Sequence, residues 1–224
     1  MDLYTVSVWL LPVLVAITLH EAAHGYVAWR LGDDTAKRLG RVTFNPLRHI
    51  DPMGTVIIPA LLIWSQVGFV FGWAKPVPVN FDRLHNPRRD MVWVAVAGPG
   101  INIALALISG AMVHLALLLP AEAQVWAVDN LRNSILINLV LAIFNMIPMP
   151  PLDGGRVAVG LLPRRIAEPL SRMERFGLFV IIAVFFVLPW IGRKLSMDIN
   201  IFAWVVGTPL QILWDAVARI TGLR

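Results

Sequence analysis

A chain of 224 residues that is 58 % hydrophobic and only 15 % charged, with a mean hydropathy of +0.71, departs from soluble globular domains, which run near half apolar and a quarter charged. The absence of cysteine excludes disulfides, thiolate catalysis and thiolate metal sites, so a bound metal must be held by His and carboxylate. A net charge of +5 does not point to nucleic acid here, because the basic residues fall in short segments between apolar stretches, the pattern of a chain oriented in a membrane.

The first apolar stretch, 4–29, is long enough to span, since a crossing helix needs about 20 mostly apolar residues. It does not read as a signal peptide: no Lys or Arg precedes Arg30, and charged groups lie inside it. Those groups are His20-Glu21-Ala22-Ala23-His24. Two His at i and i+4 share a helix face, so their imidazoles can converge on one ion, and the intervening Glu21 can take a proton from water on that ion. An ionisable residue at the bilayer centre costs about 2.5–3.5 kcal/mol on insertion scales. Three within five residues need a partner, and a divalent cation is the simplest.

The second stretch, 53–73, contains Pro59 and ends in Gly68-Phe-Val-Phe-Gly72. The stretches 91–119, 131–147 and 176–191 read as spanning helices, and 199–218, with Asp215 and Gln211, either spans or lies at the interface. Fourteen basic residues lie in the segments 30–51, 75–90 and 154–175, whereas 120–130 has none and carries Glu122 and Asp129. The positive-inside rule then puts the three rich segments in the cytoplasm and the N-terminus outside. Because cytoplasmic segments flank 53–73 on both sides, that stretch is expected to be re-entrant, in at Gly54, broken near Gly68 and back through Lys75. Irregular backbone at that depth is tolerated only beside protein or a wet cavity.

A catalytic zinc normally has three protein ligands and an open position. His49 and His85 sit in basic loops and His114 near the opposite face, so the third ligand is better sought in Asn145-Met-Ile-Pro-Met-Pro-Pro-Leu-Asp153-Gly154-Gly155. Its prolines stop the preceding helix, and two glycines permit close approach by another segment. His24 lies six residues, about 9 Å, before Arg30, and His20 about 15 Å before it. Asp153 stands just before Arg156, so both segments can meet at one depth near the cytoplasmic side.

The zinc motif followed by Asn145-x-x-Pro148-x-x-Pro151-x-Asp153-Gly154 resembles the site-2 protease family of intramembrane zinc metalloproteases. Gly98-Pro99-Gly-Ile-Asn102, Asn45-Pro46 with His49-Ile-Asp-Pro-Met-Gly54, and Gly72-Trp-Ala-Lys-Pro-Val-Pro-Val-Asn80 are similar to elements of its compact bacterial and archaeal branch, which carries no PDZ or CBS domain. The resemblance implies one Zn2+ per chain held by His20, His24 and Asp153, Glu21 as catalytic base, and Asn145 near the substrate carbonyl. It further implies membrane-spanning protein or peptide substrates and a short β-structure within 36–56 near the active site. The expectation is therefore an all-α polytopic protein of the cell membrane with about five to six transmembrane helices and a short re-entrant or β segment. It is read as one membrane-embedded metalloprotease domain over 1–224, with a catalytic core at about 4–156, C-terminal helices at about 176–218, and the lipid bilayer as its surroundings.

Overall fold

The computed structural model describes residues 2–64, 72–197 and 199–223, and no strand occurs among them. Four described helices are long and apolar enough to cross a membrane: α1 (Leu3–Arg30), α4 (Pro87–Ala116), α5 (Ala121–Asn145) and the 21-residue unit Glu174–Lys194. That last unit is α8 (Glu174–Ile182), a π turn (Ala183–Val187) and α9 (Leu188–Lys194). These four of the described helices do not by themselves confirm the expected count of five to six spans. The final stretch is helical, a π turn (Ala203–Gly207) leading into α10 (Thr208–Thr221), but Gln211, Asp215 and Arg219 dilute its apolar character. It packs on α4 and α5, with Val217 against Ala106, Ile135 and Leu139.

The interior is built from small residues. Ala16, Ala28 and Ala106 are fully buried, while Leu10, Leu11, Trp93 and Phe179 face outward. Lipid is as apolar as leucine, so helices here are held by close packing and interhelical hydrogen bonds, and alanine and glycine let the backbones approach. Helix α5 begins at Ala121, ten residues before the apolar stretch that announced it, because Pro120 starts the helix and its first turns carry the polar Glu122, Gln124 and Asp129.

After α1 the chain turns at Gly32, whose φ of +112° favours glycine. It continues through α2 (Thr35–Arg38), a 3-10 turn (Pro46–Arg48), a π turn (Pro52–Ile57) and α3 (Ile58–Trp64). The short β-structure expected within 36–56 is therefore replaced by helical turns and loop. The two limbs of the expected re-entrant segment do meet: Trp73 N donates to Gly54 O at 3.1 Å and Thr55 Oγ1 donates to Trp73 O at 2.9 Å. Its expected break near Gly68 lies outside the described residues. Beside α1 runs the segment 72–80, which has no regular secondary structure and where Pro76 and Pro78 fix φ and remove donors. A 3-10 turn (Phe81–Arg83) leads from it into α4.

Asp33 ties this region together. Its buried carboxylate accepts from Thr35 N at 3.0 Å, from Thr35 Oγ1, and from Asn80 N at 2.7 Å. Burial alone pushes its pKa up, but the bonds from Thr35 and Asn80 outweigh that and hold it below the ordinary carboxylate value. A lowered folded pKa stabilises above the unfolded value and loses that contribution as pH falls through the folded one. Asp33→Asn is accordingly expected to cost about 2 kcal/mol at pH 7. Thermal unfolding in detergent should show the gap to the parent narrowing as pH drops below about 3.9.

Candidate metal centre and catalytic site

Two turns of α1 and three of α4 build the centre. His20 and His24 stand one turn apart on α1, with ring centroids 4.7 Å apart and planes at 84°. Facing them on α4 are Val94, Gly98 and Asn102, spaced i, i+4 and i+8 and so on one face. His24 Nδ1 donates to the Val94 carbonyl at 2.7 Å, and His20 Nδ1 donates to Asn102 Oδ1 at 2.6 Å. Gly98 sits between, where a Cβ would lie 2.5 Å from His24 Nε2 and 2.6 Å from His20 Nε2. Pro99 has no N–H for the carbonyl of Ala95, which loosens α4 beside the Val94 carbonyl that His24 uses.

The third group arrives from the far end of α5. Past Asn145 the chain turns through Met146 to Leu152, with a cis bond between Pro150 and Pro151, and Asp153 opens α6 (Asp153–Leu161). Gly154 and Gly155 allow this: a Cβ on Gly154 would lie 2.3 Å from Met146 O, and one on Gly155 2.2 Å from Pro150 N. Asp153 Oδ2 then lies 3.2 Å from His20 Nε2 and 3.3 Å from His24 Nε2, while the two Nε2 atoms are 3.0 Å apart. His20, His24 and Asp153 are all buried.

These contacts decide whether a metal fits. Val94 O can only accept, and Asn102 presents its oxygen, so each ring in its neutral form carries its proton on Nδ1 and leaves a lone pair on Nε2. Buried Asp153 Oδ2 accordingly has no hydrogen-bond partner, although two ring nitrogens surround it. Three potential ligand atoms thus converge in a buried place, an arrangement that a bound divalent cation satisfies. Ligands of a tetrahedral zinc at 2.0–2.1 Å sit about 3.3 Å apart, close to the spacing here. The donor set of two imidazoles and one carboxylate is one that zinc takes in catalytic sites. Among the described residues, these three form the one His, Cys, Asp or Glu group so arranged.

Glu21 and Asn145 line the walls. A cavity of about 380 Å3 touches His20, Glu21, His24, Val77, Asn145 and Asp153, and an adjoining one of about 250 Å3 adds Leu141 and Phe144. Val77 N donates to Glu21 Oε2 at 2.7 Å, so the segment 72–80 holds this carboxylate at the cleft. Asn145 Nδ2 donates to Leu141 O at 3.0 Å, the carbonyl one turn back on its own helix. His49, His85 and His114 lie apart from the centre: His49 Nε2 meets Thr43 O and His114 Nε2 meets Thr221 O, while the ring of His85 lies against Gly32.

The five candidate side chains border one cavity; of their supports, Gly98 and Asn102 stand in a motif visible in the sequence, but without a role assigned there. The spacing of Val94, Gly98 and Asn102 was visible as a small-and-polar stripe on one helix face. The carbonyl of Val94 and the N–H of Val77 left no signal, since every non-proline residue carries both groups.

Known proteins agree with this chemistry. The family described as Peptidase family M50 matches residues 121–188, which include Asn145 and Asp153. The chain is 39 % identical over 183 residues to "Putative zinc metalloprotease YwhC" of Bacillus subtilis (strain 168), covering 80 % of each. It is 31 % identical over 172 residues to "Putative zinc metalloprotease Rip2" of Mycobacterium tuberculosis (strain ATCC 25618 / H37Rv), covering 77 % of this chain and 64 % of that relative. No solved structure gives a significant match.

Proposed function

Since this chain belongs to peptidase family M50, the site-2 protease family of membrane zinc metalloproteases, we propose that it cleaves peptide bonds of membrane-spanning proteins inside the bilayer, with His20, His24 and Asp153 holding the zinc. The observation that carries the ligand assignment is the convergence of three buried potential ligand atoms, with Asp153 Oδ2 left without a hydrogen bond. Zinc held there supplies Lewis acidity, polarising a carbonyl and making water a competent nucleophile near neutral pH.

The chain's own groups do the rest. Glu21 takes the proton of the attacking water and passes it to the departing amine. Asn145 turns its Nδ2 from Leu141 O toward the oxygen on which charge develops. The substrate must be extended to reach this cleft, because a helix keeps its carbonyls in its own hydrogen bonds. Basic residues bordering the centre, Arg156 on α6 and Lys75 on the segment 72–80, support an active site toward the cytoplasmic face and an N-terminus outside.

Metal content alongside cleavage tests this reading. The parent should carry one zinc per chain, lose cleavage of a transmembrane reporter when a chelator strips the metal, and regain it when zinc returns. Asp153→Ala should weaken zinc binding by more than about a hundredfold, beyond the loss usual for groups outside the ligand set. A variant that keeps its full zinc takes Asp153 out of that set.

A further inference from the structure

Between the metal centre and α5 runs a chain of buried amides that the proposed chemistry does not use. Asn102 and Asn138 are wholly excluded from solvent. Their orientations are fixed from one end. Asn138 Nδ2 donates at 2.8 Å to the backbone carbonyl of Ser134, which can only accept. Asn138 Oδ1 therefore faces Asn102 and accepts from its Nδ2 at 2.7 Å. That leaves Asn102 Oδ1 toward His20 Nδ1. An amide has nearly the same shape either way round, so its partners alone decide its direction. Turning either amide over would set donor against donor or acceptor against acceptor in a buried place.

Asn138 also stands two turns before Asn145 on α5, and a separation of seven residues keeps both on one face. The contact that fastens α5 to α4 therefore lies on the face that carries Asn145 into the cleft.

We infer that Asn138 is a positioning residue for the metal centre: through Asn102 it holds the proton of His20 on Nδ1, keeping Nε2 free as a ligand, and it sets the register of α5 that places Asn145. The inference rests on His20 being a zinc ligand, and the test separates the two. Zinc affinity of the purified full chain is measured by competition with a chromophoric chelator, for the parent and for Asn138→Leu, Asn138→Asp and His20→Ala.

Asn138→Leu removes the acceptor that orients Asn102, whose Nδ2 keeps only a long 3.4 Å contact with Ala16 O. It should weaken zinc binding by about tenfold or more, in the range for groups supporting a ligand. Asn138→Asp, kept protonated by burial, still offers an oxygen to Asn102 Nδ2 while its O–H replaces the amide donor toward Ser134 O, and it should bind within about threefold of the parent, a rescue that lost packing alone does not give. Equal affinity of Asn138→Leu and parent, with His20→Ala impaired, overturns the positioning role and leaves the ligand assignment standing. Parental affinity in His20→Ala overturns the ligand assignment and the inference with it. If the leucine variant does not fold, Asn138→Ala replaces it with the same expectation, and a tenfold loss in Asn138→Asp counts against the role.

Discussion

Adding one methyl group at Gly98 should empty the metal centre, while adding one at Gly100, two residues along the same helix, should change nothing measurable at it. The Cβ of Gly98→Ala would stand 2.5 Å from His24 Nε2 and 2.6 Å from His20 Cε1 and Nε2, about 1 Å inside ordinary contact. Neither ring can swing aside cheaply. Each is pinned through Nδ1 to α4 itself, His24 by the Val94 carbonyl and His20 by Asn102, so the helix that gains the methyl also holds the rings against it. Relief requires breaking a buried hydrogen bond, at about 1–3 kcal/mol, or parting α1 from α4. Either displaces the nitrogens that would bind zinc, and an affinity loss of at least about a hundredfold is expected, with cleavage lost alongside. At Gly100 an added Cβ meets nothing within 4 Å, so Gly100→Ala keeps zinc and gains about 0.5–1 kcal/mol from the better helix former. Equal zinc affinity in the two alanine variants would show that the rings do not sit where α4 now confines them.

That contrast also marks what was legible in the sequence. Hydropathy located the long helices because burial in lipid requires some twenty apolar residues, and α1, α4 and the Glu174–Lys194 unit match the stretches to within a few residues. The start of α5 did not follow, because hydropathy reports lipid contact and not hydrogen bonding, and a helix can run on into polar turns such as those around Glu122 and Asp129. His20 and His24 were legible because helical periodicity makes i and i+4 neighbours whatever the tertiary fold. Asp153 was legible through depth, from basic residues marking the surface, and through the family resemblance of the pattern from Asn145 to Gly154, since its Gly-rich turn alone does not distinguish it. The β-structure expected within 36–56 failed for a physical reason as well. The irregular segment 72–80 near Glu21 is held by two prolines and by bonds to separate anchors: Gly54, Arg41, Glu21 and Asp33. Such a segment needs no strand ladder and leaves no alternating pattern to read.

Glu21→Gln should keep the zinc and lose the chemistry. The substitution preserves length and shape, and the glutamine carbonyl can still accept the Val77 N–H that now meets Glu21 Oε2 at 2.7 Å, so the segment 72–80 stays docked. What disappears is the capacity to take a proton from water and return it to the leaving amine. Removing such a group costs typically 10²–10⁴-fold, and about a thousandfold fall in kcat for a transmembrane reporter is expected, with zinc stoichiometry and thermal stability held at parental levels. Glu21→Ala is the less informative change: it strands the Val77 N–H in a partly buried place at a cost of about 1–3 kcal/mol, and so mixes displacement of the cleft wall with loss of the base. The glutamine variant isolates proton transfer because the side chain lies one residue from His20 yet stands outside the group of three converging atoms. If it cleaves within tenfold of the parent, the proton is handled elsewhere, and Glu21 is reduced to a bracket that holds Val77 against α1.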